Sequence, residues 1–228
     1  MSTATLTSTP DPERGGATGV VCALPEELGS LAGCARAKRR SAGLEILELD
    51  LAGEKVLACV GGVGKVRAAR AAALLLAAGA TRRLLVVGVC GGLRRSLRPG
   101  TLVHCTRAVQ ADLAVLEGRE AEADARLRAA WTRTTPGPQG WFLTADRPAL
   151  TLWRRLRLAR AFVGPCVADM ETAAIASVAA AGDVPWAALR AVSDGLAPGG
   201  VRTFRKHYPV QAGRAADTVE GLLGELRT

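Results

Sequence analysis

Apolar and polar positions alternate along this 228-residue chain in two distinct periods. Short apolar runs closed off by glycine, proline or charge predict interior strands at 19–23 (GVVCA), 84–89 (LLVVGV) and 186–192 (WAALRAV). Residues 44–51 and 55–60 alternate around Gly53-Glu54 and predict a hairpin. Further strands are expected at 101–105, after the turn Leu97-Arg98-Pro99-Gly100, and at 141–144. Helical spacing follows the loop Gly61-Gly62-Val63-Gly64-Lys65 and runs to about residue 80, with Arg67 and Arg70 on its polar face. Pro25 beside Glu26 and Glu27 marks another helix start. Residues 172–181 are small or apolar on every side, which predicts a buried helix. A helix is expected around 121–131 within the weakly patterned loop region 106–138, a basic amphipathic one at 151–160 (TLWRRLRLAR), and a closing one at 210–226. Strands interleaved with helices make this an α/β protein.

Composition narrows the picture. Residues 18–228 form one domain, preceded by a flexible leader, 1–17, that lacks the apolar core of a signal peptide. No apolar run approaches the roughly 18 residues of a membrane helix. The six cysteines have no CxxC pairing and there are only two histidines, so neither a zinc site nor any other metal or cofactor is expected. Buried reduced thiols place the protein in the cytoplasm. The formal charge is +9, yet the arginines are dispersed, aromatics are 4%, and no nucleic-acid motif is present. No nucleic-acid partner is expected. The 151–160 stripe reads as a solvated helix face, with a weak contact to an anionic membrane surface as the alternative.

Three acids stand where α/β proteins build sites: Glu27 after the first strand, Glu171 at the start of the buried helix, and Asp194 after a late strand. Each has a dull reading as a cap or dipole partner. Gly61 to Gly64 fails as a P-loop, because Cys59 stands at the first glycine and Val66 at the magnesium-binding hydroxyl. It remains either a tight turn or a backbone approach to ligand. Gly91-Gly92 offers a second close approach.

The ordered motifs carry a resemblance. Ala23-Leu24-Pro25-Glu26-Glu27, Gly62-Val63-Gly64-Lys65-Val66, Gly88-Val89-Cys90-Gly91-Gly92-Leu93, Arg98-Pro99-Gly100, Asp169-Met170-Glu171 and Arg190-Ala191-Val192-Ser193-Asp194 together resemble the nucleoside phosphorylase superfamily. The branch most similar is the 5′-methylthioadenosine/S-adenosylhomocysteine nucleosidases. The resemblance implies a three-layer α/β/α fold with a central mixed, largely parallel sheet. It also implies cleavage of the N-glycosidic bond of a purine nucleoside, such as a 5′-substituted adenosine. Asp194 would then protonate purine N7, Glu27 would activate water, Glu171 would grip the ribose hydroxyls and Met170 would lie on the sugar face. Ser193, Val89, Gly91, Thr144 and Val63 complete the implied substrate contacts. A homodimer or higher homo-oligomer, with a neighbour completing the pocket, follows from the same resemblance.

Val86 and Val89 stand where the related phosphorylases hold phosphate with arginine and serine, and an apolar pair cannot neutralise a dianion. Water is therefore the expected nucleophile. Pro148 replaces the aromatic-aliphatic pair that sandwiches the purine in the branch. Three alternatives stay open: a phosphorylase, a hopanoid-associated phosphorylase-like enzyme acting on an adenosine-tailed lipid, and a non-catalytic nucleoside-binding relative.

Overall fold

The structure is a computed structural model and describes residues 15–115, 117–196 and 200–228. Most of the expected leader, 1–14, lies outside the described residues. In chain order the strands are β1 (Thr18–Cys22), β2 (Ala37–Ser41), β3 (Leu44–Leu51), β4 (Glu54–Val60), β5 (Arg83–Gly92), β6 (Leu102–Gln110), β7 (Glu120–Glu122), β8 (Gln139–Thr144), β9 (Cys166–Asp169) and β10 (Trp186–Asp194). The helices are α1 (Lys65–Ala77), α2 (Ala125–Thr134), α3 (Leu152–Ala159), α4 (Thr172–Ala181), α5 (Gly200–Gln211) and α6 (Val219–Glu225), with short 3-10 segments at Pro25–Cys34 and Ala216–Thr218.

The strands form one mixed sheet organised around β5. β5 lies parallel to β1 on one edge and to β10 on the other, with Val20 opposite Leu85 and Ala188 opposite Val86. Strand alternation sends Leu84 and Val86 to one face and Leu85 and Val87 to the other. The first face packs on α1 and α4 through Ala72, Leu75, Ile175 and Ala176. The second packs on α2 and α6 through Leu127, Trp131, Leu222 and Leu223. Three layers result, as expected from the motifs. Each fully buried leucine or isoleucine among these contributes about 1.5–3 kcal/mol.

The sheet also closes on itself. Beyond β10 it continues through β6, β8 and β9, and β9 returns to pair antiparallel with Gly91 and Gly92 at the end of β5. The strand ends carrying the motif residues are thereby drawn to one rim.

Several elements differ from the sequence expectation. The strand foreseen at 101–105 continues to Gln110, and β7 pairs with it, so much of the region read as loop is sheet. α2 starts at Ala125 rather than 121, because Asp124 accepts a hydrogen bond from the Leu127 amide (2.8 Å) and caps it there. The closing helix is two helices. The chain turns between them where Gly213 crosses Gly29, so closely that a Cβ on Gly213 would sit 2.6 Å from the Gly29 Cα. β2 and β9 carry no apolar run long enough to announce them.

Candidate active site

Glu27 is brought inward by the turn that Pro25 begins. Its Oε2 accepts the amides of Ala23 (2.8 Å) and Leu24 (3.1 Å), and Oε1 accepts the Val89 amide (3.0 Å). Burial pushes its carboxyl above the usual range, against Arg190 and these three amides, which favour the charged form. This packing requires Gly88, at φ 139°: a Cβ there would stand 2.7 Å from Glu27 Oε1.

Glu171 precedes α4 without capping it. Oε1 accepts the Gly64 amide (3.1 Å), and Oε2 accepts from Arg190 Nη2 (3.2 Å). Its pKa is pushed up to about 7, chiefly by burial, with Arg190 opposing and Asp169 adding to the rise. The glycine loop thus holds a carboxylate, and the Lys65 ammonium is held by Asp112 (2.8 Å) and Asp146 (3.5 Å). No phosphate cradle is formed by these groups.

Arg190 and Asp169 form the buried hub under the acids. Arg190 Nε lies 3.1 Å from Asp169 Oδ2 and 3.0 Å from Thr172 Oγ1, while Nη1 donates to the Val89 carbonyl (2.8 Å). Burial would lower the Arg190 pKa, but Asp169, Glu171 and Glu27 outweigh it and raise it. Thr144 belongs to this hub and not to the substrate surface. Its hydroxyl donates to Asp169 Oδ1 (2.5 Å) and accepts the Ala173 amide (2.9 Å), so it is consumed in holding α4.

Asp194 ends β10. Ser193 Oγ donates to its Oδ1 (2.7 Å), and Arg155 pairs with its Oδ2. Arg155 comes from the basic helix read as a solvated face, and that reading is corrected here: the side chain is 3% exposed. Its Nε donates to the Ala149 carbonyl (2.6 Å) and Nη1 to the Gly195 carbonyl. α3 is turned against its apparent pattern, with Arg155 and Ala159 inward and Leu152, Trp153 and Leu156 outward.

Glu27, Glu171 and Asp194 meet in one cavity of about 410 Å³. Met170, Ser193, Val89, Gly91 and Val63 also line it, and Thr144 does not. Sequence reasoning missed Arg155, Arg190's role, and the wall supplied by Val201, Phe204 and Tyr208 of α5. The last was missed because the closing helix was placed too late in the chain. Among the described residues no cluster of three or more His, Cys, Asp or Glu could hold a metal ion. No helix among them is long and apolar enough to cross a membrane.

A closed α/β sheet with carboxylates gathered beyond its strand ends is the architecture of a known class, and the chain belongs to the Phosphorylase superfamily, whose family model matches residues 17–224. Among individual relatives, it is 27% identical over 227 residues to the 5′-methylthioadenosine/S-adenosylhomocysteine nucleosidase of Actinobacillus succinogenes, covering 91% of this chain and 98% of that one. The Mycobacterium bovis protein of the same name is 28% identical over 218 residues, covering 77% of this chain and 84% of that one. The structure of the Streptococcus pyogenes S-adenosylhomocysteine nucleosidase, in complex with 5-methylthiotubericidin, matches with a TM-score of 0.87 at 22% identity, covering 92% and 97% of the two chains. Futalosine hydrolase of Helicobacter pylori matches with a TM-score of 0.86 at 20% identity, covering 92% and 98%. At these identities the structural likeness speaks for the fold.

Proposed function

We propose that this chain is an N-ribosyl hydrolase that cleaves the N-glycosidic bond of a 5′-substituted purine nucleoside, the bond that its nucleosidase relatives are named for. The carrying observation is the meeting of Glu27, Glu171 and Asp194 in one cavity, two of them already fastened by cations. Glu27 has no cationic hydrogen-bond partner, and burial raises its pKa, which strengthens it as a base that takes a proton from water. Glu171, with Met170, sits where the ribose hydroxyls and sugar face are received. Asp194 is the proton donor to purine N7, a role that requires its carboxyl to be protonated when substrate is bound, and Ser193 orients it.

The charge count favours water over phosphate. Arg190, the cation under the acids, is neutralised by Asp169 and Glu171 and is not free for a dianion. Val86 is fully buried in the core and Val89 offers no donor side chain.

Two assembly-level readings go with this. Val63 lines the cavity yet is 37% exposed, and Val66 beside it is 82% exposed, which supports a second copy of the chain closing the cavity mouth. Leu152, Trp153 and Leu156 are exposed among the arginines of α3, which supports a weak contact with an anionic membrane surface. All six cysteines are free thiols, in keeping with a cytoplasmic setting.

The test is release of free base and reducing sugar from a panel of purine nucleosides, with and without phosphate. Turnover should be indifferent to phosphate and yield ribose rather than ribose 1-phosphate. Glu27→Gln should lower kcat by about 10²- to 10⁴-fold. Phosphate-dependent turnover would reassign the chain to phosphorolysis.

A further inference from the structure

Asp194 has to hold a proton in order to give one, and the fold sets a cation against it. Arg155 of α3 ion-pairs with Asp194 Oδ2, while Ser193 donates to Oδ1 (2.7 Å). Both members of the ion pair are buried, at 3% and 4% exposed. A guanidinium in contact with a carboxylate favours the charged form, most strongly where water does not screen it. The guanidinium itself does not give up its proton. Protonating Asp194 therefore leaves a buried cation without its counter-charge, since Arg155 forms no other ion pair among the described residues.

Two neutral acceptors hold the arginine independently of Asp194. Its Nε donates to the Ala149 carbonyl (2.6 Å) and its Nη1 to the Gly195 carbonyl. The charge is thus fixed beside the acid whichever form the acid takes. The other titratable groups of the cavity do not replace it. Cys90 of β5 and the acids Glu27, Asp169 and Glu171 share the cavity, and negative charge on any of them favours the proton. Arg190 is committed to Asp169 and Glu171. Arg205 of α5 is exposed and forms no ion pair with Asp194, and Tyr208 of α5 is kept neutral, chiefly by burial.

We propose that Arg155 is a positioning residue that acts through Asp194, holding the acid in its charged form and so suppressing turnover progressively as pH rises. The inference rests on the hydrolase reading above, in which Asp194 is the proton donor. Turnover there needs Glu27 charged and Asp194 protonated, so the limbs of the pH profile belong to both groups together. The diagnostic is accordingly a ratio of variant to wild type at each pH. At low pH Asp194 is protonated with or without Arg155; at high pH the protonated fraction depends directly on the cation.

The experiment measures kcat/KM for a cleaved purine nucleoside from pH 4 to pH 9 in wild type, Arg155→Met and Arg155→Lys. The Met-to-wild-type ratio should climb by at least about tenfold across that range, the effect of one opposite charge in contact. Arg155→Lys keeps the charge, and its ratio should climb less. A merely structural role lowers kcat/KM by the same factor at every pH. A Met ratio that climbs by less than about tenfold, stays flat or falls overturns the inference and leaves hydrolysis standing. So does a Lys ratio that climbs as steeply as the Met ratio. Arg155→Gln, neutral but still a donor for a carbonyl, takes the place of Arg155→Met if that variant does not fold. If no nucleoside is cleaved at any pH, the hydrolase reading fails, and carbon-13 NMR of the Asp194 carboxyl, assigned by its loss in Asp194→Asn, still decides on Arg155. Protonation at a pH at least about one unit higher in the neutral variant upholds the hold on the acid, and an unmoved titration ends it.

Discussion

Glu171 is a residue whose folding energetics and function pull in different directions. It must be buried to reach a sugar, and burial disfavours its charge. A carboxyl whose pKa is raised by folding adds stability that is complete below the unfolded value and is lost as pH rises through the folded value. For Glu171 that loss spans from about 4.5, its ordinary value, to about 7. Glu171→Gln removes this dependence. The melting temperature of the variant minus that of wild type should therefore increase by several degrees between about pH 5 and pH 8, read by calorimetry. A difference that stays flat over the same range would mean that Arg190 holds Glu171 ionised throughout. Of the individual residues, the acids were legible in the sequence because each follows a strand or precedes a buried helix. Arg155 was not: it lies in a run of arginines and leucines where periodicity predicts the leucines inward. Only the tertiary contact with Asp194 singles it out.

Elements explain why some residues that looked functional are structural. α4 begins at a hub where Thr144, Asp169, Thr172 and Arg190 satisfy one another, with Thr144 bridging strand and helix. Thr144→Val would leave the Ala173 amide and one Asp169 oxygen without that partner, costing about 1–3 kcal/mol. The expected result is a melting temperature lowered by several degrees with KM little changed; a rise in KM at unchanged stability would return Thr144 to the substrate surface. The core elements β5, β10 and α4 were readable because uninterrupted apolar runs have few other places to go. β9 is four residues long and β2 (AKRRS) is exposed, so neither carries a burial signal. α5 contains Pro209 and mixes Val201, Phe204 and Tyr208 with basic residues, which blurs its apolar face.

At the scale of the molecule, the cavity gathers acids and their arginine partners while the +9 excess lies elsewhere on the chain. Exposed Val63 lines that cavity and exposed Val66 follows three residues on, which makes this the place where self-association would be felt in catalysis. Light scattering should return about twice the chain mass for wild type. Val66→Asp should lower both that mass and turnover together, and a monomeric wild type with full activity would remove the second copy from the account. The order of motifs along the chain made the three-layer fold legible. The closure of the sheet was not, since it depends on the short pairing of β9 with Gly91 and Gly92.

That closure restricts how a ligand can come and go. Strand β5 is flanked along both edges and its last two residues are claimed by β9, so the floor of the cavity has no seam that can part. Traffic falls to the outer walls, α3 and α5, and above all to α5, which presents Val201, Phe204 and Tyr208 from one side. In deuterium-uptake measurements, a bound base analogue should slow labelling of α5 markedly, while the amides of 84–90 stay slow whether the cavity is filled or empty.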